Sequence, residues 1–174
     1  TYAQLVADGE IELGDKINIV VPTGNFGNIL AGYYAKHMGV PVNKLICASN
    51  ANNVLTDFIK TGIYDRNRPF HTTISPSMDI LISSNLERLL YHLSGSDDAQ
   101  IREWFGSLSK TGRYEVTDEV KKAIADEFYA GCCDDEQTKA CIKEIYDEYS
   151  YTCETARSLS AGSDAWHLHC LLVM

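Results

Sequence analysis

The sequence predicts an α/β fold, a Rossmann-like parallel sheet with flanking helices. Three observations carry that expectation. Residues 17–21 (Ile-Asn-Ile-Val-Val) are a β-type run that strikes a Gly/Asn-rich turn, Thr23-Gly24-Asn25-Phe26-Gly27-Asn28. A helical rhythm follows at once, with Ile29, Leu30, Tyr33, Tyr34, His37 and Met38 on one face before Gly39 and Pro41 end it. A second buried-strand run at 44–49 (Lys-Leu-Ile-Cys-Ala-Ser) then makes 17–49 one strand–loop–helix–strand unit with parallel strands.

The other elements take their places around this unit. Tyr2, Leu5 and Val6 mark the end of a helix, closed by a turn at Gly14-Asp15. Polar Asn50 to Asn53 either face a ligand at the carboxyl end of the second strand or cap a helix over 54–60, which Thr61-Gly62 stops. Residues 70–74 (Phe-His-Thr-Thr-Ile) read as a strand broken by Ser75-Pro76-Ser77. Asp79 is expected to cap a helix with the stripe Ile82, Leu86, Leu89, Leu90 and Leu93. A shorter helix carries Ile101, Trp104, Phe105 and Leu108 as packing residues, and 113–116 reads as a short strand. Thr117 caps a helix bearing Val120, Ile124 and Phe128; another begins near Asp134-Asp135 and packs Cys141, Ile142, Ile145, Tyr146 and Tyr149. Asp118-Glu119 and Asp134-Asp135-Glu136 are helix-start charges rather than an acid–base pair. No internal repeat is expected.

Composition excludes several classes. The chain of 174 residues is 45% hydrophobic and 22% charged, as in an ordinary globular protein. Its net charge of −9 argues against nucleic acid or an anionic membrane as partner, and no apolar run is long enough to span a bilayer. The cysteines lack C-x-x-C spacing, and His167-Leu168-His169-Cys170 is a weak metal candidate, so the expectation is no metal and a reducing, cytoplasmic location.

The loop is the chemical centre. Glycines let backbone approach a ligand, and the free N–H groups of a first helical turn face it with the positive end of the dipole. Gly24-Asn25-Phe26-Gly27-Asn28 is neither G-x-G-x-x-G nor a Walker A loop, and Asn50 and Asn53 stand where a ribose-binding carboxylate would be. A single phosphate ester is therefore favoured over a dinucleotide, held by the loop amides with help from Thr23, Asn25 and Asn28. The alternative is a plain strand–helix turn with glycines for packing. Ser75 to Asp79 either line the site or form a turn and cap, and His37 and His71 read as core or rim residues.

The segment Val21-Pro22-Thr23-Gly24-Asn25-Phe26-Gly27-Asn28-Ile29-Leu30-Ala31-Gly32 resembles the phosphate-binding loop of threonine synthase, a fold-type II pyridoxal-phosphate enzyme of the tryptophan synthase β class. The resemblance continues through Leu45-Ile46-Cys47-Ala48-Ser49-Asn50 and Asn52-Asn53, then Ser75-Pro76-Ser77-Met78-Asp79-Ile80 and Ser84-Asn85-Leu86-Glu87-Arg88. It implies that 1–155 is part of that enzyme's large cofactor domain, with 156–174 a divergent or artefactual tail. It implies pyridoxal 5′-phosphate as cofactor, its phosphate held by Gly24, Asn25, Phe26, Gly27, Asn28 and Thr23. The family reaction turns O-phospho-L-homoserine and water into L-threonine and phosphate.

The family's Schiff-base lysine lies in a Ser-Phe-Lys-Asp type motif upstream of the loop. None of the lysines at 16, 36, 44, 60, 110, 121, 122, 139 and 143 follows Ser-Phe. The chain thus reads as a fragment without the lysine segment and the C-terminal strand, inactive alone, with no catalytic residue of its own. A catalytically dead binder of phosphorylated metabolites and a self-associating module with exposed core surface remain as alternatives.

Overall fold

The computed structural model of the chain describes residues 1–162 and 170–172. Its central sheet is parallel, with β1 (Ile17–Pro22), β2 (Val42–Ser49), β5 (Phe128–Cys132) and β6 (Cys170–Leu172) in the order β5-β2-β1-β6. Every ladder among these four is parallel, which places the strands' carboxyl ends along one edge. The β1–β2 pairing delivers the expected unit, with α2 (Gly27–His37) as its crossover. Ile29, Leu30 and Tyr33 of α2 are buried against the sheet, and Leu45, Ile46, Cys47 and Ala48 of β2 are fully enclosed. Such continuous burial is why β2 reads as an apolar run without alternation.

A second layer of packing comes from α3 (Val54–Thr61), α4 (Leu86–Leu93), α5 (Asp98–Thr111) and α6 (Asp118–Glu127). Asp97 accepts from the Ala99 and Gln100 amides at the start of α5, and Thr117 accepts from Val120 N–H at the start of α6. Beyond β5, α7 (Asp135–Tyr149) begins with a full capping box between Asp134 and Gln137. The helix α8 (Thr155–Gly162) then buries Ala156 and Leu159. Leu159 packs with Val20, Ile46 and Cys133 on the sheet, so the expected boundary after 155 falls inside a packed helix.

Several expectations change. Phe70 to Ile74 form no strand: Phe70 is exposed, and the backbone is held by side chains instead of a ladder. Phe128 opens β5 rather than ending a helix, because its ring fills the gap between Phe26 and Tyr33. Tyr146 and Tyr149 face solvent on α7, leaving Cys141 as its main buried apolar residue. A short strand, β6, pairs with β1 where no further strand was expected. The His167-Leu168-His169 cluster lies outside the described residues.

A repeat is also present. Lys60-Thr61-Gly62-Ile63-Tyr64-Asp65 and Lys110-Thr111-Gly112-Arg113-Tyr114-Glu115 each end a helix, turn through a glycine at φ 76° and enter a strand. These strands, β3 (Ile63–Asp65) and β4 (Arg113–Glu115), pair antiparallel about Tyr64 and Tyr114, whose rings stack at 5.3 Å and 3°. Arg66 N–H donates to Gly112 O and Val116 N–H to Gly62 O, so the two copies satisfy each other about a local two-fold. The left-handed glycines are required because any side chain there strains the turn. Two copies separated by 50 positions escape a search for tandem periodicity.

The two tyrosines differ in what their hydroxyls meet. Tyr64 donates to Leu81 O at 3.0 Å and accepts from Ser83 N–H at 2.9 Å, whereas the Tyr114 hydroxyl is buried without a partner among the described residues. Burial pushes the Tyr64 phenol up to about 12 and raises Tyr114 well above the ordinary tyrosine range. Removing a satisfied buried hydroxyl strands its partners, while removing an orphan one does not. Tyr64→Phe should therefore cost about 1–3 kcal/mol and Tyr114→Phe about zero or less, read by urea unfolding. Equal losses for the two would contradict this assignment.

Candidate functional site

The loop begins where β1 ends. Thr23 N–H donates to Ala48 O at 2.8 Å, and its hydroxyl donates to Val21 O at 2.7 Å, so the side-chain proton is engaged by the strand. Phe26 then takes a left-handed conformation, φ 64° and ψ 2°, at the N-cap of α2. That conformation is uncommon for an aromatic residue, and the buried ring, 5.6 Å from Phe128, holds it in place. The first intrahelical bond of α2 is Leu30 N–H to Phe26 O. The amides of Gly27, Asn28 and Ile29 precede it and are therefore orphan donors. Those of Gly24, Asn25 and Phe26 also donate to no protein acceptor among the described residues.

The loop's carbonyls are treated in the opposite way. Ser83 Oγ donates to Gly24 O at 3.0 Å, and Asn85 donates to Asn25 O through both Nδ2 (2.8 Å) and its backbone N–H (3.2 Å). Acceptors are tied back and donors are left over. A cavity of about 200 Å³ lies here, lined by 21–29 and by Ser77 and Met78 across from the loop. A Cβ on Gly24 would meet Ser77 O at 3.4 Å and Met78 Cα at 3.6 Å, so glycine lets the two walls approach. Among the described residues no ionised side chain lines the cavity, and amide donors with a helix N-terminus form a site suited to an anion.

The far wall belongs to a strap, residues 73–85, whose one regular turn is a 3-10 turn at Pro76–Met78. Asp79 caps no helix; α4 begins at Leu86, preceded by Asn85. Instead Asp79 Oδ1 accepts from Asn50 Nδ2 (2.7 Å), Asn52 Nδ2 (3.0 Å) and Thr73 Oγ1 (2.7 Å), while Oδ2 accepts from Thr73 N–H at 2.9 Å. Burial acts to raise its pKa, but the Thr73, Asn50 and Asn52 bonds together outweigh it and hold the carboxyl below the ordinary range. Asn50 and Asn52 are buried in this knot and do not cap α3. Asn53 occupies the cap position without a side-chain cap bond, its carbonyl oxygen accepting from Arg68.

The remaining candidates lie elsewhere. His37 sits at the far end of α2, 3.8 Å from Glu127, with its ring tilted 48° at 4.3 Å from that of Tyr33. His71 is exposed, its backbone N–H and C=O both bonded to the Asn52 side chain. Trp104 is buried beside Tyr114 and Phe105 packs partly buried against the core. None of the nine lysines lines the cavity. Among the described residues no cluster of metal-ligating side chains occurs, and no helix is long and apolar enough to cross a membrane.

Cys47 lies beneath the loop, fully buried, and burial pushes its thiol up to about 11 despite side-chain hydrogen bonding with Thr23 and Ser49. Cys132, on β5, is exposed. Thiolate is the reactive form, so a disulfide reagent at pH 8 should label Cys132 in the folded chain within minutes and leave Cys47 unmodified until unfolding. Peptide mass mapping reads this, and rapid labelling of Cys47 would mean that the loop opens readily.

No protein-family model matches the chain. It is 44% identical over 151 residues to human threonine synthase-like 1, covering 86% of this chain and 20% of that protein. It is 42% identical over 141 residues to threonine synthase of Saccharomyces cerevisiae, covering 76% of this chain and 27% of that enzyme. A PLP-bound threonine synthase from Brucella melitensis superposes with TM-score 0.89 at 34% identity, over 99% of this chain and 37% of that one. The yeast threonine synthase structure gives 0.80 at 37% identity, over 84% and 31%. The chain thus spans between a fifth and two-fifths of the length of these relatives.

Proposed function

We propose that this chain, a homologue of one segment of the threonine synthases, which are fold-type II pyridoxal-phosphate enzymes, holds the cofactor's 5′-phosphate. The observation that carries this reading is the cavity walled by the donor-only loop 24–28 and by Ser77–Met78. The residues fit the group: a phosphate needs several N–H donors and close backbone approach, and both are supplied with no carboxylate among the described lining residues. Gly24, Asn25, Phe26, Gly27 and Asn28 are its proposed ligands through their amides. Thr23 contributes by fixing the loop to Val21 and Ala48.

In the whole protein the proposed reaction converts O-phospho-L-homoserine and water into L-threonine and phosphate. Bound pyridoxal phosphate supplies an electron sink for carbanions. The part assigned to this chain is anchoring, by which the phosphate end fixes where the ring lies. Because no lysine of the chain reaches the cavity, we propose that 1–174 alone is inactive. The same absence favours a second reading, a phosphate-ester binder without lyase chemistry. The free thiols of Cys47, Cys132, Cys141 and Cys153 support a reducing compartment such as the cytoplasm.

Pyridoxamine 5′-phosphate, which cannot condense with surface lysines, tests the anchor. It should bind the chain in competition with inorganic phosphate, and pyridoxamine without the phosphate should bind at least about tenfold more weakly. Gly24→Val, whose branches run into Ser77, should lose that difference. Equal binding of pyridoxamine and its phosphate ester would contradict the proposal.

Self-association is also proposed, from the outer strand β5 and its exposed Tyr129. Light scattering should show the mean mass rising with concentration; a constant monomer mass would exclude it.

A further inference from the structure

We propose that Asp79 is a positioning residue that sets the far wall of the anion cavity without touching the anion, an inference that rests on the phosphate reading of that cavity. The strap 73–85 has little regular structure of its own, so side-chain bonds decide where it lies. At one end the Asp79 carboxylate gathers four donors. Two are the amides of Asn50 and Asn52, which follow directly on β2, and two come from Thr73. Further along, Tyr64 grips Leu81 O and Ser83 N–H, and Ser83 and Asn85 join the strap to the loop carbonyls of Gly24 and Asn25. Ser77 and Met78 hang between these anchors and form the wall.

The donor pattern demands a carboxylate. Every group facing Asp79 is an N–H or O–H donor, and an amide at this position would turn an N–H₂ toward at least one of them. The wall would then shift away from Gly24, from which Ser77 O is separated by little more than the space of a methyl group.

Charge and position make opposite forecasts for Asp79→Asn. Removing a carboxylate near an anion site should by Coulomb's law tighten anion binding; displacing the wall should weaken it.

The test is calorimetric titration of the chain with inorganic phosphate, together with amide spectra of the ligand-free protein. Asp79→Asn should raise the phosphate Kd about tenfold, and the Gly24 and Asn25 amide resonances should move even without phosphate. Thr73→Ser, which keeps both donors, should bind within about twofold of the parent, and Thr73→Val about threefold more weakly. The Thr73 pair keeps the test decisive if Asp79→Asn does not fold. Unchanged or tighter binding in Asp79→Asn or Thr73→Val, with loop resonances unmoved, would overturn the positioning role while leaving the phosphate reading intact. Failure of the parent chain to bind phosphate at millimolar concentration would overturn both.

Discussion

A loop can present its N–H groups to an anion only if its carbonyls are drawn elsewhere. In this chain Ser83 and Asn85 accomplish that by donating to the oxygens of Gly24 and Asn25. The remainder of the fold makes those two bonds available. Parallel pairing of β1 with β2 fixes the loop's base through Thr23 and Ala48. Buried Phe26 fixes its left-handed corner. The repeated Lys-Thr-Gly-x-Tyr elements carry Tyr64, which holds the stretch containing Ser83. An unpaired buried acceptor costs about 1–3 kcal/mol, so loop and strap stabilise each other.

This arrangement explains how a chain of net charge −9 can present the proposed anion site. Among the described residues the cavity lining contains neither a cation nor a carboxylate; the favourable field comes from backbone amides and from the start of α2. Asp79, the carboxylate of the strap, is saturated by four donors, and its lowered pKa reflects those bonds prevailing over burial. Such local dipoles act over a few ångströms, where overall charge matters less than direction.

Much of the fold was legible because its signals are local. The β-run at 17–21, the glycines of the loop and the helical rhythm after Ile29 each speak for themselves in sequence, and the second strand completes the unit. Thr117 was likewise readable as a cap, and Asp134 and the first-turn acids as helix-start charges. The strap was not. Phe70 to Ile74 has β-type residues, but its backbone bonds go to Asn52, Asp79 and Asp135 side chains that are distant in sequence. Asn50 and Asn52 look like helix caps because Asn favours both caps and polar knots, and only the approach of Asp79 decides between them. The Tyr114 strand was legible at 113–116, whereas its partner around Tyr64, three residues long, is too short for periodicity to register.

The most direct measurement is a crystal structure of the chain grown with inorganic phosphate. The ion should lie between the loop and Ser77, with oxygens about 2.7–3.1 Å from amides within 24–28 and the Gly24 and Asn25 carbonyls still bound by Ser83 and Asn85. Phosphate seated elsewhere, or a loop whose carbonyls turn inward, would contradict the assignment of this cavity as the anion site.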